Sequence, residues 1–185
     1  MIEIRSGNPA EIQTECLVIP VCEDAPVHAD KDVKGLLALV ENIGDFKGRS
    51  EDALFLYHPP VLSAARMMFV GLGKRENIDA ECLRRTMGKI VRECMKKDMT
   101  EVVFCAPDPE TVSMDGSELL SALFEGAHLS NHLFDHYKKE KKNKPLQTIG
   151  VHTSQMTGPE GMDLARRIGT VCSAVAMARE WVSMP

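Results

Sequence analysis

Gly71-Leu-Gly-Lys74 follows an apolar run and precedes a helical one, the place a phosphate cradle occupies in an α/β fold. Both glycine motifs fail on it. A P-loop needs glycine where Met68 stands and Ser or Thr where Arg75 stands, and a dinucleotide fingerprint needs glycine at Glu76. The pattern therefore predicts a glycine turn that lets a strand exit into a loop. His128, His132 and His136 recur every fourth residue, so neighbouring members could share a transition ion. Steps of four overshoot a helical turn by about 40°, which leaves the outer two about 80° apart and keeps all three from converging on one metal. Apart from Asp135 nearby, no Asp, Glu or Cys is placed to complete a tetrahedral set. Solvent-facing or capping histidines are expected, with a metal site at His128 and His132 as the weaker option. The lysine-rich run from Lys138 to Lys144 could touch phosphates, but it lacks interleaved aromatics or arginines, and cations beyond a helix C-terminus already complement its dipole. Asp108 with Glu110, and Glu51 with Asp52, read as solvated surface acids. Neither a Gly-x-Ser-x-Gly elbow nor His-Glu-x-x-His occurs.

The elements around these residues alternate between short β-rich runs and longer runs of helical period, which argues for an α/β layered fold. Strands are predicted at Ile2 to Arg5, Cys16 to Val21, Ala53 to Tyr57, Met67 to Gly71, Glu101 to Cys105 and Leu146 to His152. Most are continuous apolar runs, so helices must cover the sheet on both faces. Between Asp79 and Lys97, the residues Leu83, Met87, Ile90, Val91, Cys94 and Met95 line one arc of a helix, while Arg84, Arg85, Lys89, Arg92, Glu93 and Lys96 fill the other. A second helix is predicted from Ser117 to Tyr137, burying Leu119, Leu120, Leu123, Phe124, Ala127 and Phe134. A third starts at Thr157-Gly-Pro-Glu160 with a capping box, and should bury Leu164, Ile168, Val171, Val175, Ala178 and Val182. A weaker helix covers Asp32 to Val40.

The chain has 185 residues, 44% hydrophobic and 26% charged, which is enough for one globular domain with a core that needs neither disulfide nor metal. Its 22 Lys and Arg against 27 Asp and Glu give a net charge of -5, which argues against nucleic acid or anionic lipid as a general partner. Cysteines 16, 22, 82, 94, 105 and 172 form no CxxC pair and mostly sit in apolar runs, as reduced thiols do. No signal-like apolar segment opens the chain, and no run approaches the ~20 residues that span a bilayer, so a cytoplasmic location is expected.

Three longer blocks resemble one family. Glu125-Gly-Ala-His-Leu-Ser-Asn-His-Leu-Phe134-Asp-His-Tyr137-Lys-Lys, with its lysine-rich continuation, is similar to the Gly-Ala helix and aromatic-Asp-x-Tyr-Lys segment of the leucyl (cytosol) aminopeptidases, the M17-type metallopeptidases. Ala174-Val-Ala-Met-Ala178-Arg179-Glu-Trp-Val-Ser-Met-Pro185 resembles the family helix that ends in Ala-Arg-Asp-Leu-Val-Asn and a proline. Val70-Gly-Leu-Gly-Lys74, followed by Leu83-Arg-Arg and Gly88, fits as well. The departures fall at the end, where Glu180-Trp181 stands for Asp-Leu and Ser183-Met184 for Asn and an acid.

The resemblance implies a three-layer, macro-domain-like N-terminal domain with a mixed, mostly parallel sheet. Residues 1–158 would form that domain, and 159–185 the helix leading to a catalytic domain. The implied parent is a hexameric, cytoplasmic peptidase that releases N-terminal residues, leucine preferentially, from peptides with two divalent metals, zinc or manganese. The family's Asn-Thr-Asp-Ala-Glu-Gly-Arg metal block has no match here, so no catalytic, cofactor-binding or metal residue is assigned to any position, and this chain alone is expected to be inactive. Its partners would be the catalytic domain, sister subunits and, through the parent, peptide substrates. The alternative is a stand-alone macro-like module binding ADP-ribose or a related nucleotide near Gly71 to Lys74.

Overall fold

Strands without polar alternation need protein on both sides, and the chain supplies it. The computed structural model describes residues 1–184 apart from 30, 42, 43, 45, 51, 60, 61 and 135–142. Among the described residues, β1 (Ile2–Arg5), β2 (Leu17–Cys22), β3 (Ala53–Tyr57), β4 (Arg66–Gly73), β5 (Glu101–Cys105) and β6 (Thr148–His152) form one sheet in the order β1-β6-β5-β2-β4-β3. Neighbours run parallel, except that β3 lies antiparallel to β4 at the edge. The period of two sorts the side chains. Val18, Met68, Val70, Val102 and Phe104 face one way, and Leu17, Ile19, Met67, Phe69 and Val103 the other.

The first face carries the larger core, under α2 (Ala80–Lys96) and α4 (Gly116–Asn131). Helix α5 (Pro159–Ser183) flanks α4 and β1. Val33 and Leu36 of α1 (Lys31–Glu41) close the second face. The result is the expected three-layer α/β fold. Pro20 cannot donate to a ladder and would be out of place inside a central strand. It lies beyond Val18, the last β2 residue paired with β5, and its carbonyl accepts from the His28 ring at 2.9 Å.

Helix α2 matches its sequence pattern: all six residues of the apolar arc are buried, and the Asp79 carboxylate caps the helix by accepting from the Cys82 N–H at 2.7 Å. Helix α4 stops at Asn131, earlier than expected, and β6 starts at Thr148 rather than Leu146. One pair of bonds accounts for both differences. The Asn131 side chain donates to the Leu146 carbonyl at 2.9 Å and accepts from its N–H at 2.7 Å, so backbone that would have extended the strand is spent on the end of the helix. Phe134 is half-buried beyond that end, while Tyr137 falls outside the described residues. A short helix α3 (Pro109–Val112), unforeseen in the sequence, precedes α4.

Two expectations for α5 fail. The capping box does not form, because Gly158 is the cap and its carbonyl accepts from Gly161 at 3.2 Å, leaving Thr157 and Glu160 exposed. The buried arc is also rotated from the one predicted. Leu164 is buried and Ile168 half-buried, but Val171, Val175, Ala178 and Val182 are exposed. The helix turns inward its small residues instead, Gly161, Ala165, Gly169, Cys172 and Ala176, which let it lie close to its neighbours. A Cβ on Gly161 would stand 2.0 Å from the Met156 carbonyl oxygen.

Asp115, the cap of α4, accepts from the Ser117 hydroxyl at 2.5 Å, from the Ser117 N–H at 2.9 Å and from the Glu118 N–H at 3.2 Å. These bonds, the hydroxyl first, hold its carboxyl below the usual carboxylate range. A carboxyl depressed on folding contributes stability above its unfolded value, near pH 3.9, and loses it as pH falls through the folded value. Thermal melts should therefore show the unfolding midpoint dropping below about pH 4. Asp115→Asn should flatten that acid limb while keeping most of the midpoint at pH 7, since Asn is an equally good cap.

Candidate functional site

In open α/β sheets ligands enter at strand C-termini, where the chain order reverses. Here that place lies between β2 and β5. Part of it is filled by the 27–29 segment: Val27 and His28 are buried, His28 only 2% exposed, while a 710 Å³ cleft lined by Asp24, Ala25, Arg75, Glu76 and Ser113, from the segments that follow β2, β4 and β5, lies open. The 27–29 segment is stitched across by Asp108, whose N–H donates to the Val27 carbonyl at 2.9 Å and whose carboxylate accepts from the Ala29 N–H. Thr111 adds a hydroxyl bond to the Val27 carbonyl at 2.8 Å. Asp108 is thus a structural brace rather than the solvated acid the sequence suggested, while Glu110 is exposed as expected.

The glycine N–H groups of the Gly71–Lys74 turn are likewise taken up by the chain. Gly71 N–H donates to the Asp52 carbonyl and Gly73 N–H to the Gly48 carbonyl, both at 2.9 Å, so neither is available to a phosphate. A Cβ on Gly71 would lie 1.8 Å from the Arg49 carbonyl oxygen; this glycine exists to admit the 48–52 loop. Asp52 holds that loop by accepting from the N–H groups of Lys47 and Arg49 at 3.0 and 3.1 Å, which again corrects the reading of a merely solvated acid. Glu51 is outside the described residues. Lys74 opens onto a surface cleft of 640 Å³ that also contains Asp79, Glu81, Arg85 and Lys89, a mixed-charge lining.

His128 and His132 face α5 rather than solvent, and His132 is the capping residue at the end of α4. Burial holds His128 below its ordinary range, and its Nε2 would lie 3.0 Å from a Cβ on Gly169. His132 Nε2 sits 3.3 Å from Glu180 Oε1. Both line a small 210 Å³ recess with Cys172. Among the described residues no three His, Cys, Asp or Glu gather as a metal set; His136 and most of the lysine run lie outside them. No disulfide forms among the described residues; five of the six cysteines are buried and Cys82 is half-buried. A bond with Cys94 and burial push the Cys16 thiol far up, burial takes Cys22 up to about 12, and burial raises Cys82 and Cys172. Thiols held protonated in this way are poor nucleophiles.

One charged feature went unread in the sequence because it needs neighbouring helices to acquire a shape. The polar arc of α2 forms a wall of a 470 Å³ groove, with Gly126, Leu129 and Ser130 of α4 and Arg179 of α5 also lining it. The cations at Arg85, Lys89, Arg92 and Lys96, spaced by four, three and four residues, were its only trace in the sequence.

Taken together, the mostly parallel sheet with one antiparallel edge and the helices on both faces define a macro-like α/β domain. A Trypanosoma brucei macrodomain in complex with ADP superposes with a TM-score of 0.61 at 10% identity, over 89% of this chain and 67% of that one. A tomato leucine aminopeptidase mutant superposes with 0.76 at 20% identity, over 100% of this chain and 39% of that one. The sequence matches the model for the cytosol aminopeptidase family, N-terminal domain, over residues 20–141, and the chain belongs to that family. A probable cytosol aminopeptidase of Methylobacillus flagellatus is 25% identical over 96% of this chain but only 37% of its own length. The chain therefore spans well under half of such relatives. No helix among the described residues is long and apolar enough to cross a membrane.

Proposed function

We propose that this chain is the non-catalytic N-terminal domain of a leucyl aminopeptidase, a metal-dependent exopeptidase of the cytoplasm that releases N-terminal residues, leucine preferentially, from peptides. It contributes to hexamer assembly and to access to the active site. Residues 1–158 are the domain body, and 159–185 the helix that leads to the catalytic domain. The observation that carries this reading is the outer half of α5. Val171 is 56% exposed, Trp181 67% and Val182 88%, with Met177 and Met184 exposed beside them. A helix apolar on nearly all sides is normally buried, and a patch of this kind marks an interaction surface. The catalytic domain is its occupant in this reading, since the matched relatives continue for more than half their length beyond what this chain covers.

The two divalent metals, zinc or manganese, belong to that other domain. No ligand for them is assigned to this chain in this reading. No chemical step is assigned to this chain. The ADP-ribose reading has fold likeness on its side, but the Gly71 and Gly73 N–H groups that would cradle its phosphates already donate to backbone carbonyls.

The test is leucine anilide hydrolysis with added manganese or zinc. The 185-residue chain should show none, and a polypeptide carrying the remainder of the relatives' length should be active; turnover by the short chain would refute the proposal. Trp181→Glu with Val182→Glu should change the stability of the short chain by less than about 0.5 kcal/mol, as exposed substitutions do. The same pair should abolish activity of the longer polypeptide by keeping its two domains apart. Calorimetry with ADP-ribose should give no saturable heat.

A further inference from the structure

We propose that the groove between α2 and α4 is a docking site for an acidic helical segment of a partner protein. Its sign is the first argument. Arg84, Arg85, Lys89, Arg92, Lys96 and Arg179 line it against two carboxylates, Glu81 and Glu93, although the chain as a whole carries -5. A concentrated positive field on an acidic protein steers anionic partners to one place.

Part of that charge is uncommitted. Arg84 is tied to Glu81 and Glu125, Arg85 to Glu81, and Lys96 to Glu93. Among the described residues, neither Arg92 nor Arg179 has a carboxylate within ion-pair distance, and both are exposed.

Spacing and shape choose the partner. Arg85, Lys89, Arg92 and Lys96 follow one another by four, three and four residues, so they stand roughly 5 Å of axial rise apart along a ~16 Å stripe. A helix with acidic residues at the same intervals repeats its carboxylates at the same rise. The lining on the α4 side is small: Gly126 and Ser130 belong to it, as does Gly88 of α2. These small residues let α2 and α4 lie close at the groove floor, since a Cβ on Gly126 would meet the Arg84 carbonyl and one on Gly88 the Ser130 hydroxyl, so the charges along its walls carry the recognition. A single-stranded nucleic acid fits less well, because no aromatic side chain lines the groove to stack a base. The inference does not rest on the peptidase reading, as it uses only the charges and shape of this chain.

Fluorescence anisotropy with the 185-residue chain tests it. The probe is a labelled 18-residue alanine-based helical peptide with Glu at positions 4, 8, 11 and 15. Controls are the same peptide with Gln at those positions and a labelled 20-nucleotide oligothymidine. The Glu peptide should bind saturably at low salt and weaken as salt rises. Arg92→Glu combined with Arg179→Glu should reduce its affinity at least about ten-fold, with the melting curve unchanged. The proposal is overturned if the Gln peptide binds as tightly, if the double variant binds like the parent chain, or if oligothymidine binds more tightly than the Glu peptide. That last result would make the groove a nucleic-acid site.

Discussion

Phe124→Ala lowers the free energy of unfolding by about 3–5 kcal/mol, a large part of the 5–15 kcal/mol that ordinarily holds a domain together. Phe124 is fully buried on the inner face of α4, in the same core as Leu83, Met87 and Ile90 of α2 and Phe104 of β5. Truncation removes the transfer energy of the ring and leaves a cavity that neighbours on two rigid layers cannot fill. Phe124→Leu keeps most of the volume and should cost about 1–1.5 kcal/mol. Urea unfolding checks both, with the slope unchanged so that the midpoint alone reports stability. A loss below about 1 kcal/mol for the alanine variant would mean that α4 does not seat its inner face as described.

Two helical glycines should respond to alanine with opposite signs. In a helix interior alanine is favoured over glycine by about 0.8–1 kcal/mol, so propensity alone predicts a gain at both. Gly35 of α1 has nothing within 4 Å of an added Cβ, and Gly35→Ala should stabilise by up to about that amount. Gly126 of α4 differs: its Cβ would stand 2.4 Å from the Arg84 carbonyl oxygen and 3.0 Å from Met87 Cβ. The obstacle is backbone, so the two helices must separate, which costs about 1–3 kcal/mol for alanine and more for a branched side chain. Overpacking outweighs propensity there. Gly126→Val should destabilise by about 3 kcal/mol or more, and it should also widen the groove that Gly126 helps to line. If Gly126→Ala proves stabilising, the contact between α2 and α4 is looser than these distances say.

Much of this fold was legible because its signals are local. The limits of β1, β3 and β5 follow from their short β-rich runs, and α2 from a hydrophobic arc bounded by Asp79. The end of α4 was not legible, since it is decided by a bond between Asn131 and Leu146, fifteen residues away. Nor was the rotation of α5. Its valines have the right period for a core, but close packing favours the small residues on the other arc, and no periodicity can say which of two plausible faces meets the neighbour. The same reason hid the roles of Asp52 and Asp108. Each looks like a loop acid until the backbone N–H groups it receives are brought near.

By itself the sequence determined the layered α/β class, the buried setting of most of the thiols, and, through three residue blocks, the aminopeptidase family. Composition and residue spacing act along the chain and survive without coordinates. Only the tertiary structure decided that the Gly71 and Gly73 N–H groups are taken up by backbone carbonyls, that His128 and His132 face α5, and that the cations of α2 line a groove. These depend on which surfaces meet, and contacts between residues distant along the chain are set by packing in three dimensions.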